Sequence, residues 1–380
     1  MESVAPFKDA TEAIKEAGGE TLKLCFQCGL CTASCPWNTV RTFIPHKMVR
    51  QTQFGLFELE DEDWWLCTTC NTCVSRCPRS VGITDVMRAA RAIMVQYQMS
   101  PDSIHSVGAS LASLGNPWGE AREKRADWAK DLGIKTFTQG TEVLYFPCCT
   151  PAYDSRLSGV ARASASLLRS TGADFGILGT EENCCGESIR KTGDTSLFES
   201  LARSNIDTFN RSGVTEIIAT SPHCYTTFKN EYPALGGSFK VTHFTQYLAG
   251  LIDRGQLQFT RELKKKVVYH DPCYLGRHNG IYDEPRKVLA SIPGVELMDE
   301  VDSRENSLCC SGGGGRIFME TKKGERFSDI LVEQAMARGA DVLATACPYC
   351  LLNFKDSLLT TENSDRMEIK DVSELVQEAV

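Results

Sequence analysis

Eight of the chain's eighteen cysteines fall into two runs of one rhythm, 25-CFQCGLCTASCPWN-38 and 67-CTTCNTCVSRCPRS-80, offset by 42 positions. Each reads C-x2-C-x2-C-x3-C, and each is closed by a proline, Pro36 or Pro78. Three closely spaced thiolates can wrap one iron–sulfur cluster corner by corner, and in the bacterial run of this spacing the fourth cysteine ligates the other cluster. The inferred cubane [4Fe-4S] ligand sets are therefore Cys25, Cys28 and Cys31 with Cys77, and Cys67, Cys70 and Cys73 with Cys35. Zinc is the competing ion, since C-x2-C pairs also bind it. It needs four ligands per ion and has no use for two successive triplets that each end in Cys-Pro. A cysteine count this high in a large chain without a secretory leader argues for metal or redox chemistry over disulfides.

The other ten cysteines sit in a duplicated unit, a kind of repeat best sought before local detail. The stretch 143-VLYFPCCTPAYD-154 parallels 267-VVYHDPCYLGRH-278, and 183-NCCGE-187 parallels 308-LCCSG-312. Further on, 213-GVTEIIATSPHC-224 parallels 339-GADVLATACPYC-350, and 240-KVTHFTQYLAGLI-252 parallels 368-EIKDVSELVQEAV-380. The second unit carries Cys273, Cys309, Cys310, Cys347 and Cys350 as C-x35-CC-x36-C-x2-C. Five thiolates are one more than a cubane needs, which points to a more open cluster. The first unit carries Cys149, Cys184, Cys185 and Cys224, but Ser221 stands where the second has Cys347. Cys148, beside Cys149, either supplies the missing thiolate or is a free buried thiol.

These cysteines need elements to hold them. Strands such as 215–220 and 341–346 end just before a cysteine, and strands alternating with helices predict two small α/β units with parallel sheets. Ligand groups would then lie at the carboxyl ends of the strands. In the first hundred residues, Ile83, Val86, Met87, Ala90, Ile93, Met94 and Tyr97 recur at helical intervals, predicting a helix that covers the apolar side of the clusters. Trp64 and Trp65 read as core or cluster-shielding residues. The fold class is thus α+β and multi-domain. It comprises a helical ferredoxin-like domain over 1–99, a partly helical linker over 100–142, and two α/β halves over 143–262 and 263–380.

The combined spacing resembles the heterodisulfide reductase family over nearly the whole chain. The first hundred residues, above all 64-WWLCTTCNTCVSRCPR-79, look like its small C subunit, and the remainder looks like its B subunit with two cysteine-rich CCG domains. A chain carrying both resembles the fused D subunit. The resemblance implies a noncubane [4Fe-4S] cluster on Cys273, Cys309, Cys310, Cys347 and Cys350, where electrons would reduce a disulfide or a thiol would be oxidised. It implies a second site on Cys149, Cys184, Cys185 and Cys224, whose cluster type Ser221 leaves open. Cys-Cys-Ser-Gly at 309–312, where the family has Cys-Cys-Gly, is a milder departure. Partners implied are other subunits of a redox complex, such as a flavoprotein, a b-type cytochrome or a ferredoxin-like carrier. The alternative is a pure electron-transfer module with no substrate of its own.

Other features narrow the reading. A formal charge of −8 argues against nucleic acid as a main partner. The N-terminus lacks a basic start followed by an apolar core, and no run of about 18 apolar residues exists to span a bilayer. A cytoplasmic protein that meets the membrane only through a partner is expected. The run 312-GGGG-315 lacks the lysine of a phosphate loop, so close backbone approach to a cluster is the better explanation. No G-x-G-x-x-G is present for a dinucleotide. His270, Asp271, Arg277 and His278 flank Cys273, and either a proton donor to a leaving thiolate or a hydrogen bond that positions the ligand loop fits them. His223, next to Cys224, is a candidate unusual ligand.

Overall fold

A computed structural model describes residues 7–380 apart from positions 57, 59 and 364. The N-terminal region is helical, with short helices Lys8–Ile14, Leu30–Ala33, Pro45–Gln53 and Thr72–Ser75 leading to Ile83–Gln96. The two cysteine runs share a backbone path. Positive φ at Gln27 and Gly29 recurs at Thr69 and Asn71, so each chain segment doubles back twice between its first and third cysteine. Helix Ile83–Gln96 buries Ile83, Val86, Met87, Ala90, Ile93 and Met94 as its periodicity predicts. Tyr97 departs from that expectation. The helix ends at Gln96 and Gln98 turns left-handed, which leaves Tyr97 60% exposed. Trp64 and Trp65 are buried in the same core.

Among the described residues, eight strands form two parallel sheets. β1 (Val143–Phe146), β2 (Phe175–Gly176), β3 (Glu216–Ala219) and β4 (Lys240–His243) stand in the order β2-β1-β3-β4. β5 (Lys265–Tyr269), β6 (Val295–Asp299), β7 (Val342–Thr345) and β8 (Glu368–Asp371) repeat it as β6-β5-β7-β8. The central strands are covered on both faces, which is why VLYF, IIA, VVY and VLAT read as unbroken apolar runs. In each sheet the chain winds one way from the first central strand and the other way from the second. A crevice therefore opens between their carboxyl ends.

The halves exchange packing. Helix Phe244–Asp253, which ends the first unit, lies on Asp283–Ala290 of the second, and Val372–Ala379 lies on Ser158–Ser170 of the first. Leu248, Leu251, Val288, Leu289, Leu167 and Val376 consequently belong to one core. The two closing helices start from equivalent capping boxes, at His243 and Asp371. Among the described residues, no helix is long and apolar enough to cross a membrane.

One side chain fastens the helical region to both halves. Arg91 is fully buried and donates to the carbonyls of Trp64 (2.8 Å), Cys67 (2.7 Å), Lys191 (3.0 Å) and Gly314 (3.0 Å). The glycine run packs here. A Cβ on Gly313 would lie 2.4 Å from the Thr68 carbonyl oxygen, and one on Gly314 would lie 2.3 Å from that of Cys67. The glycines led to an expectation of close backbone approach to a cluster; the approach found is to the backbone of Cys67 and Thr68.

Arg91→Leu strands the carbonyls of Trp64 and Gly314, in buried hydrogen bonds each costing about 1–3 kcal/mol when lost, and those of Cys67 and Lys191, in half-buried ones. It should lower the denaturation midpoint and speed amide exchange around Cys67 before exchange in the sheets. A second expectation concerns pH. Burial pushes the His243 imidazole down to about 3, so it stays neutral in the fold while an unfolded chain protonates below 6.5. Its contribution is complete above 6.5 and is lost as pH falls. Burial pushes Asp371 up to about 7, so its contribution weakens in the opposite sense, as pH rises from 3.8 toward 7. At pH 5.5 the His243 effect is on the order of 1 kcal/mol. Relative to wild type, His243→Asn should therefore gain as pH is lowered from 7 to 5.5, which the difference between the two denaturant midpoints at each pH would show.

Candidate functional site

The cysteines of both α/β units collect at the crevices between central strands. Cys148 and Cys149 follow β1, Cys224 follows β3, and Cys184 and Cys185 lie in the loop after β2. In the second unit Cys273 follows β5, Cys347 and Cys350 follow β7, and Cys309 and Cys310 follow β6. All eighteen cysteines are free, and these ten are buried. Ten unpaired, buried thiols in two clusters form a soft donor set of the kind that iron–sulfur clusters take.

In the second unit the five thiols make a connected chain. Cys273 meets Cys309, Cys309 meets Cys310, Cys310 meets Cys350, and Cys350 meets Cys347. Hydrogen bonds from Cys309 and Cys350, aided by the His270 imidazole, pull the Cys310 thiol well below its ordinary range. That favours the thiolate, which is the ligating form. His270 Nδ1 is 2.8 Å from Glu300 Oε1, and ligand atoms of His270, Cys310 and Cys350 lie within 4.8 Å of one another. Burial alone would depress the His270 imidazole, but Glu300 and Cys310 raise it to about 10.

The first unit gathers its thiols similarly. Cys149 meets Cys184, Cys184 meets Cys185, and Cys185 and Cys148 both meet Cys224. Hydrogen bonds from Cys184 and Cys224 bring Cys185 down to about 6. Ser221 caps the helix Pro222–Thr226, its Oγ accepting from the His223 amide at 3.3 Å. Cys148 has φ 74° and ψ 153°, a region otherwise left to glycine that costs on the order of 1–3 kcal/mol. The segment between the helical region and β1 is more than a linker, because it delivers Arg125. Arg125 is fully buried, pairs with Glu182 (Nη2–Oε2 2.9 Å) and donates from Nη1 to Cys149 Sγ at 3.3 Å.

A third group joins the units. His223 does not face the thiols of its own half. Its Nδ1 is 3.1 Å from Glu187 Oε2 and its ring reaches Cys347 of the other half. Burial would raise the Glu187 carboxyl, but His223 holds it down at about 2. Tyr274 stacks on His223 at 3.9 Å between ring centroids, and Ser188 Oγ is 2.9 Å from Tyr349 Oη.

The second ferredoxin-like run lies against the second cysteine-rich site. Cys35, Cys67, Cys70 and Cys73 line one cavity with Trp37 and Met87, the grouping expected of crossed ligation. The Cys70 thiol reaches Cys309, whose sulfur is also 3.6 Å from Thr68 Oγ1. Arg277 Nε donates to the Cys70 carbonyl (2.8 Å), His278 Nε2 sits 2.8 Å from the Thr69 carbonyl, and Thr69 Oγ1 is 2.8 Å from Tyr274 Oη. Asp271 instead pairs with Arg286 at 2.6 Å. Arg277 and His278 thus position loops. Cys28 is exposed, as are Phe26 and Leu30 two residues to either side of it. No polar patterning flags Arg91, Arg125 or the Glu187–His223 pair. For Arg91 a signal exists: it lies four residues after Met87 and eight after Ile83, on the apolar stripe.

The cysteine-rich CCG domain family matches twice, over residues 143–229 and 267–355, and the 4Fe-4S dicluster domain family matches residues 21–81. The D subunit of the dihydromethanophenazine:CoB–CoM heterodisulfide reductase of Methanosarcina barkeri is 30% identical, with 94% of each chain covered. The probable iron–sulfur-binding oxidoreductase FadF of Bacillus subtilis is 36% identical over 85% of this chain and 47% of its own length. The EtfAB:quinone oxidoreductase of Syntrophomonas wolfei is 34% identical over 84% and 47%. The chain therefore spans about half the length of these last two relatives. A crystal structure of a hypothetical protein from Helicobacter pylori has the same fold at TM-score 0.52 and 9% identity, covering 98% of this chain and 72% of that one. The dicluster region, the two cysteine-rich domains and the match over 94% of each chain show that this chain belongs to the iron–sulfur oxidoreductase family that includes the heterodisulfide reductase D subunit.

Proposed function

We propose that this chain carries single electrons between a redox partner docked at the Cys28 edge and the five-thiol site of its second half, where a disulfide is reduced or a thiol pair oxidised. The observation that carries the reading is the contact between Cys70 and Cys309. It makes the second ferredoxin-like ligand set continuous with the second cysteine-rich site. Cys25, Cys28, Cys31 and Cys77 would hold one cubane, Cys67, Cys70, Cys73 and Cys35 the next, and Cys273, Cys309, Cys310, Cys347 and Cys350 a noncubane cluster. Bound clusters supply reversible one-electron storage. The chain's own residues then hold the thiolates, exclude water and fix the order of the sites. Reduction of a disulfide takes two electrons and two protons to give two thiols, so it requires two successive passages along the path.

Charge supports the docking face. Residues 21–57 and 64–84 contain Lys23, Arg41, Lys47, Arg50, Arg76 and Arg79 and not one Asp or Glu, within a chain of net charge −8. The acidic stretch at 58–63 belongs elsewhere, its Glu60, Glu62 and Asp63 lining a cavity with Trp65, Met99 and Arg316. The partner's contact surface is therefore acidic, as complementarity requires.

Burial of all five second-site cysteines, none more than 6% exposed, favours a second reading in which the chain only relays electrons to another subunit. Turnover of the anaerobic holo-protein with reduced methyl viologen and a panel of disulfides separates the two. Viologen oxidation that depends on a disulfide supports catalysis; its absence with every disulfide, alongside rapid reduction of the clusters, supports relay alone. Lys23→Glu with Arg50→Glu should slow reduction by an acidic ferredoxin about tenfold at low salt, an effect that shrinks as ionic strength rises. Reduction by the cationic viologen should be undiminished in the same variant, as stopped-flow absorbance would show.

A further inference from the structure

We infer that Cys148 is the fifth thiolate of the first cysteine-rich site, replacing the ligand lost at Ser221, so that this half holds an open five-thiolate cluster like its duplicate. The inference rests on the cluster reading above and sharpens it.

The duplication supplies the comparison. In the second unit the residue before Cys273 is Pro272, whose ring fixes φ near −65°. Its counterpart is Cys148, with φ 74° and ψ 153°. A non-glycine side chain in that region is held there by its surroundings. The surroundings are specific. The Cys148 thiol lies within hydrogen-bonding reach of Cys224 and of the Ser221 hydroxyl. In the second unit Cys350, the counterpart of Cys224, is met in the same way by Cys347, the counterpart of Ser221. A thiol thus touches the last cysteine of the set in both halves, from Cys347 in one and from Cys148 in the other.

Ser221 itself is engaged as a helix cap, with its oxygen accepting from the His223 amide. Backbone inversion at Cys148 moves a sulfur to that side of the site. The result is a second set of five buried thiols, Cys148, Cys149, Cys184, Cys185 and Cys224. A free buried thiol would need no such conformation. At a position without a ligand role, glycine would fill the same backbone without strain.

Four variants of the anaerobically purified full chain test this: Cys148→Gly, Cys148→Ser, Ser221→Cys, and Cys148→Gly combined with Ser221→Cys. The readouts are iron and acid-labile sulfide per chain together with Mössbauer and EPR spectra. Wild type should hold about sixteen irons, four [4Fe-4S] clusters. Cys148→Gly should fold at least as well, because glycine accepts the local φ, yet lose about four irons or show the first-half spectrum converted to that of a four-thiolate cluster. Cys148→Ser should behave likewise in iron and spectrum. Adding Ser221→Cys to Cys148→Gly should restore both, since the thiolate then comes from the position used in the second half.

Wild-type iron and spectra in Cys148→Gly would overturn the assignment, as would a loss that Ser221→Cys does not restore. A wild-type chain with about twelve irons, the first half empty, overturns it too while leaving the path through the second half intact. Absent disulfide turnover with full iron content overturns only the catalytic reading, so the two failures are told apart.

Discussion

A buried guanidinium with no carboxylate partner among the described residues organises this molecule. Arg91 gives its hydrogen bonds to four backbone carbonyls drawn from the helical region and from both α/β halves. Desolvating a cation is unfavourable, and the penalty is offset only when every donor finds an oxygen. The two cysteine-rich halves must therefore be folded and in register before the arginine is satisfied. The cysteine loops inherit that requirement. Cys67 offers its carbonyl to Arg91, Cys70 reaches Cys309, and the glycines at 313 and 314 let the two backbones close to contact. The cysteine loops are brought together by main-chain geometry, and their thiols remain free.

The two halves obey one plan and differ where chemistry allows. Parallel central strands, buried on both faces, end at a crevice, and cysteines follow them there. Equivalent helices begin with equivalent caps, although one cap is a neutral histidine and the other a carboxyl held up by burial. In the first half a fully buried arginine donates to a cysteine of the set, Arg125 to Cys149. In the second half Cys309 lies in reach of Cys70 of the helical region. Glu187, His223, Tyr274 and Tyr349 fill the space between the sites with a packed polar group.

Much of this is legible in the sequence because metal ligation demands one residue type at fixed intervals. Both ferredoxin-like runs, the duplication and the parallel strands ending in cysteine can be read that way, and so can the break in pattern at Ser221. Arg91 and Arg125 escape such a reading for a physical reason. A charged side chain is assigned to the surface unless partners are known, and their partners are backbone oxygens and residues distant in sequence. His223 looks in the sequence like a companion of its neighbour Cys224, whereas a helical turn aims it across the molecule at Cys347. Tyr97 continues an apolar period that the backbone ends one residue earlier. Periodicity reports which face is apolar, and left-handed residues decide where it stops.

The exchanged closing helices set one more property. Because the last helix of each half is seated in the core of the other, the interval between the two cysteine sites is cast when the chain folds, like the gauge of a track. It is not left to a hinge. An electron moving between the halves would meet a separation that neither diffusion of a tethered domain nor a closing motion has to produce, and the timing of transfer would then rest with the arrival of partners at the rim.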